Sequence, residues 1–168
     1  MNASELLIDL YGRIPPLAAE ACEGASADDL TATVVPGTNP VGWLVWHVAR
    51  VQDMQFSELA GSDQLWTTGD WAGRFGLDPD PGNMGYGHSP TDVAAVQPVS
   101  AEAALAYLDA VAERTRDVLA GYGDEDLDEV IDRNWDPPVT LGVRLVSVAD
   151  DGLQHVGQAA YLRGLLKG

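Results

Sequence analysis

The sequence predicts an all-α fold, a four-helix bundle with a long crossover loop between helices two and three. Three observations carry this. Four stretches repeat apolar side chains at i, i+3 and i+4 spacing. Glycine and proline punctuate the gaps between them. The gap at residues 61–99 is far longer than a turn and holds Gly69, Gly73, Gly76, Gly82, Gly85, Gly87, Pro79, Pro81, Pro90 and Pro98. With 168 residues, one domain spanning 1–168 is expected.

The first helix is expected from Asn2, which with Glu5 has the spacing of a capping box. Leu6, Leu7, Leu10, Tyr11 and Ile14 carry its apolar face. Pro15-Pro16 predicts a kink or break, with helix resuming to Gly24. Asn39 as N-cap and Pro40 at the first helical position open helix two, which runs to about Leu59. Helix three starts after Ser100 and ends before Gly121. Helix four runs from near Thr140 to Leu166, with Gly168 closing the chain. In the crossover, Trp66, Trp71, Phe75 and Tyr86 argue for packing rather than disorder, with a short helix at Thr91 to Ala95. Residues 124–139 read as an acidic irregular stretch.

Composition excludes several classes of partner. The formal net charge of -17 would repel nucleic acid and anionic membranes. No apolar run approaches the ~20 residues of a membrane span. The start MNASELLIDL has no basic segment of a secretory signal, so a cytoplasmic protein is expected. Cys22 stands alone, which rules out an internal disulfide and a thiolate-rich zinc cage, and it reads as a small buried hydrophobe.

Two apolar stripes are interrupted by groups that carry chemistry. Trp43, Leu44, Val51 and Met54 share a face of helix two with His47. On helix four, Leu145, Val148, Gly152, His155, Ala159, Leu162 and Leu166 share a face, and Asp151 lies one turn before His155. An inward carboxylate is costly unless it is paired or metal-bound. Two readings stand at this point. His47, Asp151 and His155 hold a divalent cation, most simply zinc, with an open coordination position; or His47 is a hydrogen-bonded core residue and Asp151 a solvated one.

The segments Asn39-Pro40-Val41-Gly42-Trp43-Leu44-Val45-Trp46-His47 and Asp151-Gly152-Leu153-Gln154-His155-Val156-Gly157-Gln158 resemble the second-helix and last-helix motifs of the DinB-like superfamily of four-helix metalloproteins. Arg74-Phe75-Gly76-Leu77 and Gly85-Tyr86-Gly87-His88 resemble its actinobacterial branch. The resemblance implies an up-down-down-up bundle and a metal triad of His47, Asp151 and His155. An acidic residue at 151, where many members have His, leaves zinc, nickel and iron all as expectations. It also implies a thiol S-transferase that conjugates mycothiol to an electrophilic small molecule, with a homodimer as the expected assembly. The alternatives are a mycothiol-using isomerase, as in the maleylpyruvate branch, and a non-catalytic, stress-associated metal-binding bundle.

Around the triad, Gln158 is expected to orient a ligand or to serve packing or capping, and His88 either acts as a general base or fourth ligand or anchors its loop through a hydrogen bond. Arg50 either meets an anionic group of the cofactor or makes a surface ion pair. Trp66, Trp71, Tyr86 and Trp135 are candidates for an apolar pocket or, equally, for a satellite core, with Trp71 and Tyr86 expected on the cofactor. Gly152 and Gly157 are expected to permit close helix approach.

Overall fold

A computed structural model describes residues 1–167, so Gly168 lies outside the described residues. The chain is mostly helical. Helix α1 (Ala3–Gly12) begins with the expected capping box: Asn2 Oδ1 accepts from the Glu5 N–H at 2.8 Å, and the Glu5 carboxylate accepts from the Asn2 N–H at 3.0 Å. Helix α2 (Ile14–Cys22) follows at once. The break falls at Arg13, ahead of the two prolines rather than at them. Pro15 and Pro16 occupy the first turn of α2, where a missing N–H leaves no bond unmade. Helix α3 (Ala27–Thr31), which the periodicity did not indicate, is one short turn closed by a Ser26–Asp29 capping box.

Helix α4 (Val41–Ala60) has Pro40, not Asn39, at its N-cap, and ends on Gly61 in the left-handed region at φ +61°. The crossover is built rather than loose. It holds helix α5 (Leu65–Thr68), a 3-10 turn at Ala72–Phe75 and helix α6 (Pro90–Ala95), which Ser89 caps. Helix α7 (Ala101–Leu119) starts at the Ser100 cap. The segment expected to be irregular contains two short antiparallel strands, β1 (Val130–Asp132) and β2 (Val139–Thr140), so the fold is not purely helical. Helix α8 (Leu141–Lys167) is the longest element. Among the described residues, no helix is long and apolar enough to cross a membrane.

Helix α4 is the central rod, in contact with α3, α7 and α8, while α2 packs on α7 and α8, and α1 on α7. Every residue from Val41 to Arg50 is buried, so α4 is covered nearly all round. Trp46, Trp66, Phe75 and Tyr107 fill the layer between α4, α7 and the crossover. Gly152 does bring helices together: a Cβ there would lie 2.8 Å from Ile14 Cδ1. Gly157 does not, because open space surrounds its Cα and no helix meets it. Cys22 is buried, and burial pushes its thiol up to about 11, so it stays protonated and inert.

Candidate metal centre

Helices α4 and α8 present His47, Asp151 and His155 to one another across their shared seam. Asp151 Oδ1 lies 3.4 Å from His155 Nε2 and 3.7 Å from His47 Nε2, and one donor atom from each residue falls within 4.8 Å of the others. Metal–ligand bonds of ~2.0–2.2 Å place neighbouring ligand atoms roughly 3–3.5 Å apart. Asp151 thus stands near ligand spacing from both imidazoles, and the widest pair, within 4.8 Å, has to close for one ion to reach all three.

The hydrogen bonds behind the two imidazoles matter as much as the spacing. His47 Nδ1 bonds the carbonyl oxygen of Met84, on the crossover. A carbonyl only accepts, so Nδ1 carries the proton and Nε2 keeps its lone pair when the ring is neutral. His155 Nδ1 is 2.8 Å from Gln158 Oε1, which imposes the same tautomer. When neutral, both rings thus turn an unprotonated Nε2 toward Asp151; when protonated, each points an N–H at it. Trp43 stacks flat on His47, with ring centroids 4.7 Å apart and planes 13° apart, and fixes the ring against rotation.

Asp151 shows the strain of this arrangement. Its Oδ2 is buried and has no hydrogen-bond partner. Burial alone would raise the Asp151 carboxyl, but hydrogen bonds and charge from His155 and His47 outweigh it and hold the group well below the usual carboxylate range. The Asp151 hydrogen bond in turn raises His155 above the ordinary imidazole value, against the effect of burial. A carboxylate flanked by two imidazoles, with one oxygen buried and unpartnered, is a negative site that a cation would complete. The donor set of two nitrogens and a carboxylate fits zinc, nickel or iron.

The other expected site residues fall into three groups. Gln158 and Tyr86 lie at the centre: Gln158 holds His155, and Tyr86 is exposed on the rim of a cavity of about 230 Å³ that His47, Met84, Arg144 and Asp151 also line. His88 is anchored rather than free. Its Nδ1 accepts from Trp43 Nε1 at 3.1 Å, and its Nε2 lies 2.8 Å from Asn83 Oδ1. Burial pulls its pKa below the ordinary imidazole value, in keeping with a neutral ring that ties the crossover to α4. Trp71 packs on Tyr107 and beneath Arg74, in the aromatic layer rather than in the triad cavity. Trp66 is a core residue, and Trp135 is exposed near the β1–β2 turn.

Arg50 is neither on the surface nor open to a ligand. It is fully buried, because the crossover covers the face of α4 that a narrower amphipathic stripe would leave in water. Its guanidinium donates to the carbonyls of Asn83 (2.9 Å) and Pro81 (3.1 Å), to Gln64 Oε1 (2.9 Å) and to Tyr107 Oη (3.2 Å). Asp53, also fully buried, lies 3.4 Å from it. The Asp53 carboxylate accepts from the N–H groups of Leu65 (2.9 Å) and Trp66 (2.8 Å) and from Tyr107 Oη (2.7 Å). This pair clamps both limbs of the crossover, and Asn83 directly precedes Met84, whose carbonyl sets the His47 tautomer. The Arg50–Asp53 spacing of three was the available signal. A second stripe of Trp46, Arg50, Asp53 and Ser57 steps along the other side of α4.

The family model for mycothiol-S-transferases matches residues 17–168. A crystal structure of a conserved protein from Enterococcus faecalis superposes with a TM-score of 0.90 at 36% sequence identity, covering 98% of this chain and 97% of that one. A comparison with curated proteins returned no match. With nine-tenths of its length matched by that family, and a cation-ready triad where α4 meets α8, the chain belongs to the mycothiol-S-transferase family.

Proposed function

We propose that this protein is a metal-dependent thiol S-transferase that conjugates mycothiol to an electrophilic small molecule. Its cation, zinc first among the candidates, is held by His47, Asp151 and His155 in an up-down-down-up bundle. The observation that carries this reading is the unpartnered Asp151 Oδ2 beside two imidazoles whose protons are both held on the far side of the ring.

A bound divalent cation favours the thiolate form of a coordinated thiol, the reactive form of a group otherwise only a few per cent ionised at neutral pH. The protein's own residues prepare for this. The Met84 carbonyl and Gln158 Oε1 keep the two Nδ1 protons, so neither ring has to change tautomer on binding. Asp151 offsets part of the cation's charge. Trp43 and the crossover cover one side of His47, which limits water there. The open side is the cavity rimmed by Tyr86 and Met84, with room for a small electrophile.

The test is elemental analysis of the purified protein, followed by conjugation of mycothiol to monobromobimane with and without chelation. One equivalent of metal and chelator-sensitive transfer are expected. A metal-free protein that transfers equally well would overturn the reading.

A second prediction concerns the approach of the crossover. Gly85 has φ +97°, and a Cβ on it would stand 2.8 Å from Trp43 Cζ2 and 2.9 Å from His47 Nδ1. Gly85→Ala therefore has to push the Met84 carbonyl off His47. Loss of such an orienting partner weakens metal affinity by about 10–100-fold. Competition against a chromophoric chelator measures it, and an unchanged affinity would show that the Met84 contact is dispensable.

A further inference from the structure

The triad lies between a cavity on one side and a groove on the other, and they differ in character. Toward one side lies the electrophile cavity, with Val51 four residues after His47 and Val148 three before Asp151. Toward the other side, Leu44 lies three residues before His47 and Gln158 three after His155. The groove thus begins one helical turn, about 4.5 Å of rise, from the triad. It comprises two cavities of about 490 and 350 Å³ that share Gly37, Thr38 and Asn39.

Their lining includes no Asp, Glu, Lys or Arg, in a chain with 26 acidic and 9 basic residues. Its polar groups are those of Thr33, Thr38, Asn39, Gln97, Gln158 and Tyr161, with the His88 ring, whose two nitrogens are already bonded to Trp43 and Asn83, and they are set among apolar side chains. Tyr161 is 69% exposed, an unusual placement for a large aromatic ring, and offers a flat apolar face beside a hydroxyl. A charged ligand would find no counter-charge there. A wholly apolar one would leave buried hydroxyls and amides without partners, which is unfavourable.

We propose that this groove binds the uncharged, polyhydroxylated part of the thiol co-substrate, so that thiol and electrophile reach the triad from opposite ends of the seam. The proposal rests on the S-transferase reading and deepens it. Mycothiol meets the requirement, since its N-acetylcysteinyl group is joined through an amide to a neutral glucosaminyl-inositol. Gln158 connects the two regions: its Oε1 holds His155, which leaves its amide N–H groups to donate to a hydroxyl in the groove.

The test compares mycothiol with N-acetylcysteine, the same thiol without the polyol, on the metal-loaded enzyme. The KM for mycothiol is expected to be at least tenfold lower. Tyr161→Ala, a surface change that does not threaten folding, should raise the mycothiol KM about tenfold, with kcat and the N-acetylcysteine kinetics unchanged. Equal KM values for the two thiols, or a mycothiol KM indifferent to Tyr161→Ala, would overturn the proposal. A binding measurement separates its failure from that of the S-transferase reading. Mycothiol disulfide, which has the polyol and no free thiol, should shift the backbone amide resonances of Gly37, Thr38 and Tyr161. Shifts there without turnover of either thiol would support the groove and sink the transferase; no shifts there would sink the groove.

Discussion

His155→Ala should abolish stoichiometric metal binding, lowering affinity by well over the ~100-fold lost when only an outer partner is removed. In the unsubstituted protein, a cation at 100 times its Kd adds about 2.7 kcal/mol to stability. For a chain of this size that is roughly 5–10 °C in melting temperature. His155→Ala should lose the whole increment and, in chelator, melt below the parent at pH 6, where the His155–Asp151 hydrogen bond contributes, and closer to it at pH 8. The pH dependence supplies a second signature. In chelated protein, His155 is raised by its Asp151 hydrogen bond, so folding stabilises the imidazolium. That contribution is complete below the unfolded value of ~6.5 and is lost as pH rises through the raised folded value. The depressed Asp151 contributes fully above the ordinary carboxylate range and adds no slope between pH 6 and 8. Chelated protein should therefore lose this part of its stability from pH 6 to 8. Metal-loaded protein should do the opposite, since the cation must displace those protons. Scanning calorimetry at both pH values, with and without chelator, measures the pair of slopes. Parallel slopes would rule out a cation on His155.

Asp53→Ala should be the most destabilising single change outside the triad. It deletes the acceptor of two backbone N–H groups and the Tyr107 hydroxyl, and strands the buried Arg50 guanidinium. Breaking one side of a buried ion pair costs about 3–5 kcal/mol. Domains commonly hold only ~5–15 kcal/mol in total. A large fall in urea midpoint is expected, and Tyr107→Phe should cost only about 1–2 kcal/mol, because Asp53 and Arg50 then still satisfy each other. A midpoint unmoved by Asp53→Ala would show that the crossover does not depend on this clamp.

The long helices and the triad were legible in the sequence because both are periodic. His47, Asp151 and His155 interrupt apolar stripes at turn spacing, and that pattern survives an error of a residue at a helix end. The single-turn elements were not legible. Helix α3 has too few residues to display a period, and the strands β1 and β2 are only three and two residues long. The clamp was missed for another reason. Arg50 and Asp53 look like an exposed i, i+3 pair when α4 is assumed to face water on one side. Only the crossover folding back over α4 makes them interior, and that contact joins residues 14 to 33 positions apart. The same long-range closure hid Met84 and Gly85, since nothing in their local sequence refers to His47. Gly157 was the converse case: a helical glycine whose neighbouring space is empty.

Because the group that orients His47 is a main-chain oxygen, the identity of side chain 84 is decoupled from the chemistry of the imidazole. Residue 84 can vary to reshape the mouth of the cavity beside the triad, which Met84 lines, without disarming the nitrogen that faces Asp151. Under the proposed transfer, selection for new acceptor molecules would have a position beside the triad at which to experiment, sheltered from the penalty such proximity usually carries.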